Sequence, residues 1–484
     1  MVPGLLVFAV QIFVLGFSLI ILWRRFFSPI KTVPGPFLAS VSRFWHLHHI
    51  IKGDQNLQLI NLHDKYGHFV RIAHNEVGVS HPDGIKKILL APLHKASWYK
   101  FLSIPDYRYQ TPMSTTDPKK KVERSRHFAA GYTMSNLLQT EDSIGSVIDQ
   151  FLAWLDRSAE SKKAVHLDKY LTFTAFDIAG EVLFSKRFGF LKEGRDVGNA
   201  IGNSLMLNLY ASTMGFFRWI HVILIGNPFM TSLNVLPSGH IFDTTVRALD
   251  DRLNNRDRNR FDVVDHWLKA MEKNPGQVLL RDVYAAATGA MGAASDTISC
   301  ALQSFVYFMN RHPNAWERVR GEIEEAQRTQ GLCRDRVLAS KEALRVFGPV
   351  SMTLPRLAPP GGLTIGSKHF PEGTILSINP WVMHHSRELW GSDAREFNPD
   401  RWLKDDAGEL DRYFMPWGQG YNSCPGQHIA RIELSKITAT LVGDYNIRQV
   451  DKNQDWQWKA YFTVVPHSWP CYIERRAGNE LSSW

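Results

Sequence analysis

Apolar and polar positions repeat with different periods along the chain, and each period predicts an element. Residues 5–23 carry no charge. At about 1.5 Å per residue such a helix crosses a bilayer's hydrocarbon core. Arg24, Arg25 and Lys31 follow at once, which predicts a single-pass anchor with the rest of the chain on the cytosolic side. A cleaved leader would show a basic start, a shorter apolar run and a small-residue cleavage site, and the stretch has none of these. "VPGP" (33–36) then predicts a stiff spacer, because proline fixes φ and cannot continue a helix. Residues 68–81 alternate around a central turn and predict a hairpin. Helical patterns dominate 137–328, with one amphipathic helix expected over 171–190 and another over 261–272. After Pro349 prolines and glycines become frequent, and 363–381 reads as short strands. The last long helix begins near Gly426, where Ala430, Leu434, Ile437 and Leu441 recur on one face. The expected fold is mainly α with a small β region. Residues 1–25 are an anchor, 26–36 a basic, proline-rich hinge, and 37–484 one large domain.

Composition narrows this only a little. The chain has 484 residues and 44% hydrophobic content, enough for a large core. Cys300, Cys333, Cys424 and Cys471 are irregularly spaced and form no CxxC pair. That argues against a disulfide framework and a structural zinc site, and for a reducing compartment. The net charge is +9, but the basic residues are dispersed and no nucleic-acid motif is present. A membrane surface or an acidic protein partner accounts for the excess.

The chemistry concentrates in "WGQGYNSCPGQHIA" (417–430). A metal-ligating thiolate must be kept deprotonated and aimed, and a helix start offers free N–H groups and a favourable dipole. Gly418 and Gly420 permit a tight turn, and Gly426 lets a flat cofactor lie over the backbone. A buried structural cysteine is the competing reading, and the glycine pattern argues against it. Elsewhere, "KEALR" sets Glu342 and Arg345 three apart on a helix, a spacing that by itself is common on surfaces. "AAATGAMGAASDTIS" (285–299) places small residues along a helix that could approach something flat. Helix packing would explain the alanines, but not the Asp296–Thr297 pair, which is costly among apolar side chains.

Residues 417–430 resemble the haem-binding signature of the cytochromes P-450, F-x-x-G-x-R-x-C-x-G, with Trp417 for Phe and with Gly418, Cys424 and Gly426 matching. Asn422 stands where the family has an arginine. The resemblance implies that Cys424 is the axial ligand of the iron of haem b. It makes Glu342 and Arg345 the E-x-x-R pair, joined by Arg401 of "FNPDRW" in a buried structural network. It makes Asp296 and Thr297 an acid–alcohol pair that carries protons to the dioxygen site, with Ala294 a mild departure. Arg356 of "LPRLAP" is similar to a family propionate contact. The family's W-x-x-x-R positions are Lys121 and Ser125, so Arg124 or Arg126 is expected to substitute.

By the same resemblance, the chain is a membrane-anchored haem-thiolate monooxygenase of the endoplasmic reticulum membrane. Electrons come from NADPH through a separate reductase, with cytochrome b5 as a further partner, and the substrate is a lipophilic small molecule. Several stretches look most like filamentous-fungal members of the pisatin-demethylase type, which implies secondary-metabolite biosynthesis. The implied substrate pocket draws on 97–116, 205–229, the dioxygen helix, 351–354 and 461–463. Two alternatives remain: a haem-thiolate isomerase or dehydratase that needs no NADPH, and a haem-binding pseudoenzyme. The connection 328–342 is shorter than in membrane-bound members of the family.

Overall fold

The computed structural model describes residues 2–233, 239–255, 261–329 and 334–476. Its first helix, Val2–Leu22, opens into a wider turn at Trp23–Phe27. The stretch Leu6–Phe27 is long and apolar enough to cross a membrane, and nothing in the domain covers it. The hinge is not a free spacer. Arg71 N–H donates to Pro34 O at 2.7 Å, and a Cβ on Gly35 would lie 2.3 Å from Arg71 O. Arg24 Nη1 donates to Val41 O (2.9 Å), and Arg71 Nη2 donates to Arg24 O (3.0 Å).

The predicted hairpin is β1 (Phe69–Ala73) and β2 (Glu76–Val79), paired antiparallel with an irregularity between Arg71 and Ala73. After Pro349 come β3 (Leu354–Leu357), β4 (Leu363–Ile365), β5 (Lys368–Phe370) and β6 (Ile375–Ile378). One four-stranded sheet has the order β1-β2-β6-β3, with β2 and β6 parallel. β4 and β5 pair separately, as do β7 (Tyr445–Gln449) and β8 (Cys471–Arg475).

Helices build the rest. The central helix, Leu280–Arg311, runs 32 residues and so about 48 Å. It packs along the helix Leu167–Phe184, where Thr172 Oγ1 meets Ser299 Oγ at 2.6 Å and Gln303 Nε2 donates to Ser299 Oγ at 3.0 Å. Buried hydroxyls and amides that pair across two helices fix their register. Leu167–Phe184 is buried on every side rather than amphipathic, and it ends earlier than its pattern suggests. Ser185 turns the chain at φ 56°. The buried Asp177 carboxylate then accepts N–H groups from Gly189, Phe190 and Leu191, so the chain beyond cannot extend the helix. The helix Val263–Lys273 starts two residues later than its pattern, where Asp262 accepts Asp265 N–H as an N-cap.

The terminal helix, Gln427–Asp444, buries Ala430, Leu434, Ile437 and Leu441 as its periodicity predicts. Glu342 and Arg345 lie on the helix Arg334–Val346. Residues 330–333, within the short connection, lie outside the described residues.

Candidate functional site

Cys424 sits in a loop of successive tight turns. Gly418 N–H donates to Met415 O, Ser423 N–H to Gly420 O, and Cys424 N–H to Trp417 O at 2.7 Å. Gly418 (φ 69°) and Gly420 (φ 59°) occupy left-handed conformations, which glycine adopts without strain. A Cβ on Gly418 would also press to 3.0 Å from Asn422 O. The terminal helix starts at Gln427, so the sulfur lies ahead of it. Only the Gly426 N–H pulls the Cys424 thiol downward, and burial pushes it upward by more. A coordinated metal ion would remove the thiol proton outright.

The loop leans on the Glu342–Arg345–Arg401 network, whose members are 0%, 0% and 1% exposed. Arg345 reaches both Glu342 oxygens, at 3.0 and 2.7 Å. Arg401 Nε donates to Glu342 Oε1 at 3.0 Å and Trp402 Nε1 to Oε2 at 2.9 Å. The spare guanidinium N–H groups end on the carbonyls of His384, Ala394, Glu396, Trp390 and Asp393. The path to the loop is short: Arg345 holds His384 O, and His384 Nε2 accepts Met415 N–H at 3.0 Å.

The central helix supplies another wall. Within a largely buried helix, Gly289 and Ala293 are exposed and Thr297 is half-buried, four residues apart. A Cβ on Gly289 would meet nothing within 4 Å. This open stripe of small residues suits a flat group. Thr297 Oγ1 donates to Ala293 O at 2.8 Å, so its hydroxyl is satisfied within the helix. Asp296 faces elsewhere. Its Oδ2 accepts from Ser204 Oγ and Asn208 Nδ2, each at 2.8 Å, and from Thr463 Oγ1 at 3.3 Å. Burial raises this carboxyl, and the three donors offset that in part.

A third feature is a surplus of buried positive charge. Arg356 is 2% and Lys95 3% exposed. Strand-like bridging puts the two residues opposite one another. Arg356 Nη1 donates to Tyr99 Oη (3.1 Å) and Pro355 O, while its Nε has no partner. Lys95 Nζ donates to Pro112 O and Met113 O at 3.0 and 2.9 Å. Burial, with help from Arg356 and Lys121, lowers Lys95 to about 7. Among the described residues no carboxylate is recorded within ion-pair distance of any of the three. Lys121 donates to Tyr421 O of the cysteine loop, and the buried Asn422 Nδ2 has no partner.

The expected residues thus fall into groups. Cys424, Gly418 and Gly426 share the loop, but counting four back from Cys424 puts the signature's first glycine at Gly420 rather than Gly418. Glu342, Arg345 and Arg401 converge in the network beside it. Arg356 lies in the cationic cluster. Arg124 and Arg126 do not join that cluster. Arg124 lies near Asp282 and Arg281, at the start of the central helix, and Arg126 is exposed. Arg124 Nη1 is buried without a partner. Lys95, Ser204 and Asn208 were not singled out from sequence, whereas Lys121 was, as an aligned position occupied by a cation.

These observations test the fit of a haem. An aimed sulfur, an open stripe of small residues and buried cations lacking counter-anions match its iron, its flat ring and its two carboxylates. Cys424 would hold the iron, and Arg356 and Lys95 would meet the propionates.

A family model described as Cytochrome P-450 matches residues 34–466. Curated relatives agree over nearly full length. Cytochrome P-450 monooxygenase hepC of Aspergillus oryzae is 29% identical, covering 91% of this chain and 92% of the relative. Cytochrome P-450 monooxygenase cicH of Emericella nidulans is 28% identical over 98% and 99%. A pisatin demethylase of Fusarium vanettenii is 27% identical over 94% and 93%. With its cysteine loop, its buried ionic network and its near full-length match, the chain belongs to the cytochrome P-450 family, as a monooxygenase whose haem is bound through a cysteine thiolate.

Proposed function

We propose that the protein oxidises a lipophilic small molecule in fungal secondary metabolism, with electrons drawn from NADPH through a separate reductase and with cytochrome b5 as an auxiliary donor. The observation that carries this reading is the loop that aims Cys424 beside a braced ionic network. Residues 1–25 would anchor the chain in the endoplasmic reticulum membrane. Residues 26–36 would join that anchor to a cytosolic catalytic domain, 37–484.

Bound haem supplies the activation of dioxygen and its insertion into substrate. The chain's own residues do the rest. Cys424 Sγ would hold the iron, steadied by the Gly426 N–H. Arg356 and Lys95 would neutralise the two propionates. Asp296 and Thr297 hold and move protons: the acid draws on donors from another helix, and the alcohol stands on the open stripe.

The deciding experiment is Cys424→Ala in the full chain. The reduced, carbon-monoxide-bound protein should lose its thiolate-type Soret band and all reductase-dependent oxygenation. Oxygenation that persists in the variant would refute the assignment.

A further inference from the structure

Asp296 faces Ser204 and Asn208 rather than the open stripe. Beside Ser204 lies a cavity of 370 Å³, between the central helix, the start of the helix Ala200–Met214 and the helix Gly239–Asn254. Phe176, Phe188 and Phe190 wall one side, and Val197, Ala200 and Met291 add further apolar lining. Ser204, Ser295, Thr244 and Arg247 are its polar lining. Arg247 is exposed, so the cavity reaches solvent there. At ~30 Å³ per molecule it has room for roughly ten waters, and the polar lining offers the two to four partners that an ordered water needs.

One residue belongs to both the cavity wall and the Asp296 site. Ser204 lines the cavity and donates its hydroxyl to Asp296 Oδ2 at 2.8 Å. A serine hydroxyl has one proton to give and two lone pairs that accept. With its proton on Asp296, it still accepts from the cavity. Asn208 bonds the same oxygen, but its amide nitrogen has no lone pair to receive a replacement proton. Ser295, the neighbour of Asp296 in the chain, spends its proton on Met291 O.

We propose that the cavity is the proton entry to the site and that Ser204 is the relay residue that passes protons from cavity water to Asp296. In each transfer a hydronium in the cavity gives a proton to Ser204 Oγ and becomes water. Ser204 releases its own proton to the Asp296 carboxylate, which becomes the acid. The serine ends neutral, and no electrons move. Asn208 and Thr463 hold the carboxyl in place during the exchange. The proposal rests on the reading of Asp296 and Thr297 as a proton relay.

The test uses the holoenzyme reconstituted with a reductase, without added substrate, in H₂O and in D₂O. NADPH oxidation and hydrogen peroxide release are followed together. Ser204→Ala should slow the proton-dependent part roughly tenfold, enlarge the solvent isotope effect and release more peroxide per NADPH. Ser204→Thr keeps a hydroxyl and should restore both values. Ala200→Phe fills the cavity wall without touching Asp296 and should reproduce Ser204→Ala; it also carries the test alone if Ser204→Ala fails to retain haem. An unmoved isotope effect and peroxide yield in these variants overturns the entry route. If the wild-type holoenzyme oxidises no NADPH, or Thr297→Ala leaks no added peroxide, the underlying relay reading fails, and the route with it.

Discussion

Two buried clusters of charge flank the site, and they are built on opposite principles. Around Glu342 every charge is answered. Glu342 serves two guanidiniums, Asp393 gives Arg401 a second carboxylate at 3.0 Å, and carbonyls absorb the remaining N–H groups. Around Arg356 charge is left open: two buried cations lie together, Lys121 adds a third nearby, and no carboxylate is recorded against them among the described residues. A closed network of this kind gives shape and binds nothing. A surplus of buried positive charge is unfavourable alone and becomes favourable when an anion arrives, so it marks where a ligand completes the protein.

Breaking the closed network should have the largest effect. Glu342→Ala leaves the buried Arg345 guanidinium without a counter-charge and Arg401 with Asp393 alone, a loss of roughly 3–5 kcal/mol. Little folded holoenzyme should be recovered, as measured by haem content of the soluble fraction. Arg356→Met comes next. It leaves the fold intact but removes one charged partner of the haem, worth about 1.5–3 kcal/mol. Haem transfer to an acceptor globin should speed up by roughly ten- to a hundredfold.

Lys95→Met sharpens the contrast, because its effect should change sign with ligand. Lys95 lies at about 7 in the fold, below the ~10.4 of an unfolded lysine. Between those values the unfolded chain binds the extra proton. The haem-free protein should therefore gain stability as pH rises through that window. Lys95→Met should remove this slope and raise the melting temperature of the haem-free protein at neutral pH, while haem loss from the holoprotein quickens by a smaller factor than in Arg356→Met. The smallest effect belongs to Asn422→Arg. It adds a further cation to a cluster already in surplus, and haem retention should loosen by no more than roughly threefold, a few tenths of a kcal/mol.

Motif spacing made the closed network and the cysteine loop legible in advance. Glu342 and Arg345 are neighbours by helix geometry, and the glycines around Cys424 signal their turn locally. The cationic cluster was legible only at Arg356. Lys95 sits in "LHKASW", which has no period and no motif, and it becomes a site residue only when the chain folds back to bridge Arg356. Ser204 and Asn208 were hidden for the same reason: their partner, Asp296, is distant in sequence. The expected helix over 171–190 ran too long because periodicity carries no information about Asp177, whose carboxylate captures the backbone beyond Ser185.

The strap between Arg24 and Arg71 bears on how the chain can be shortened for solution work. Arg71 is 1% exposed, and its Nε and Nη1 have no partner. Its Nη2 rests on the carbonyls of Arg24 and His74. A truncation that begins at residue 24 keeps that acceptor and the Arg24 contact with Val41. One that begins at residue 37 discards both, together with the Pro34 carbonyl that receives Arg71 N–H. The boundary between what the lipid needs and what the folded body needs therefore falls before the hinge, at Arg24 in the last turn of the anchor segment.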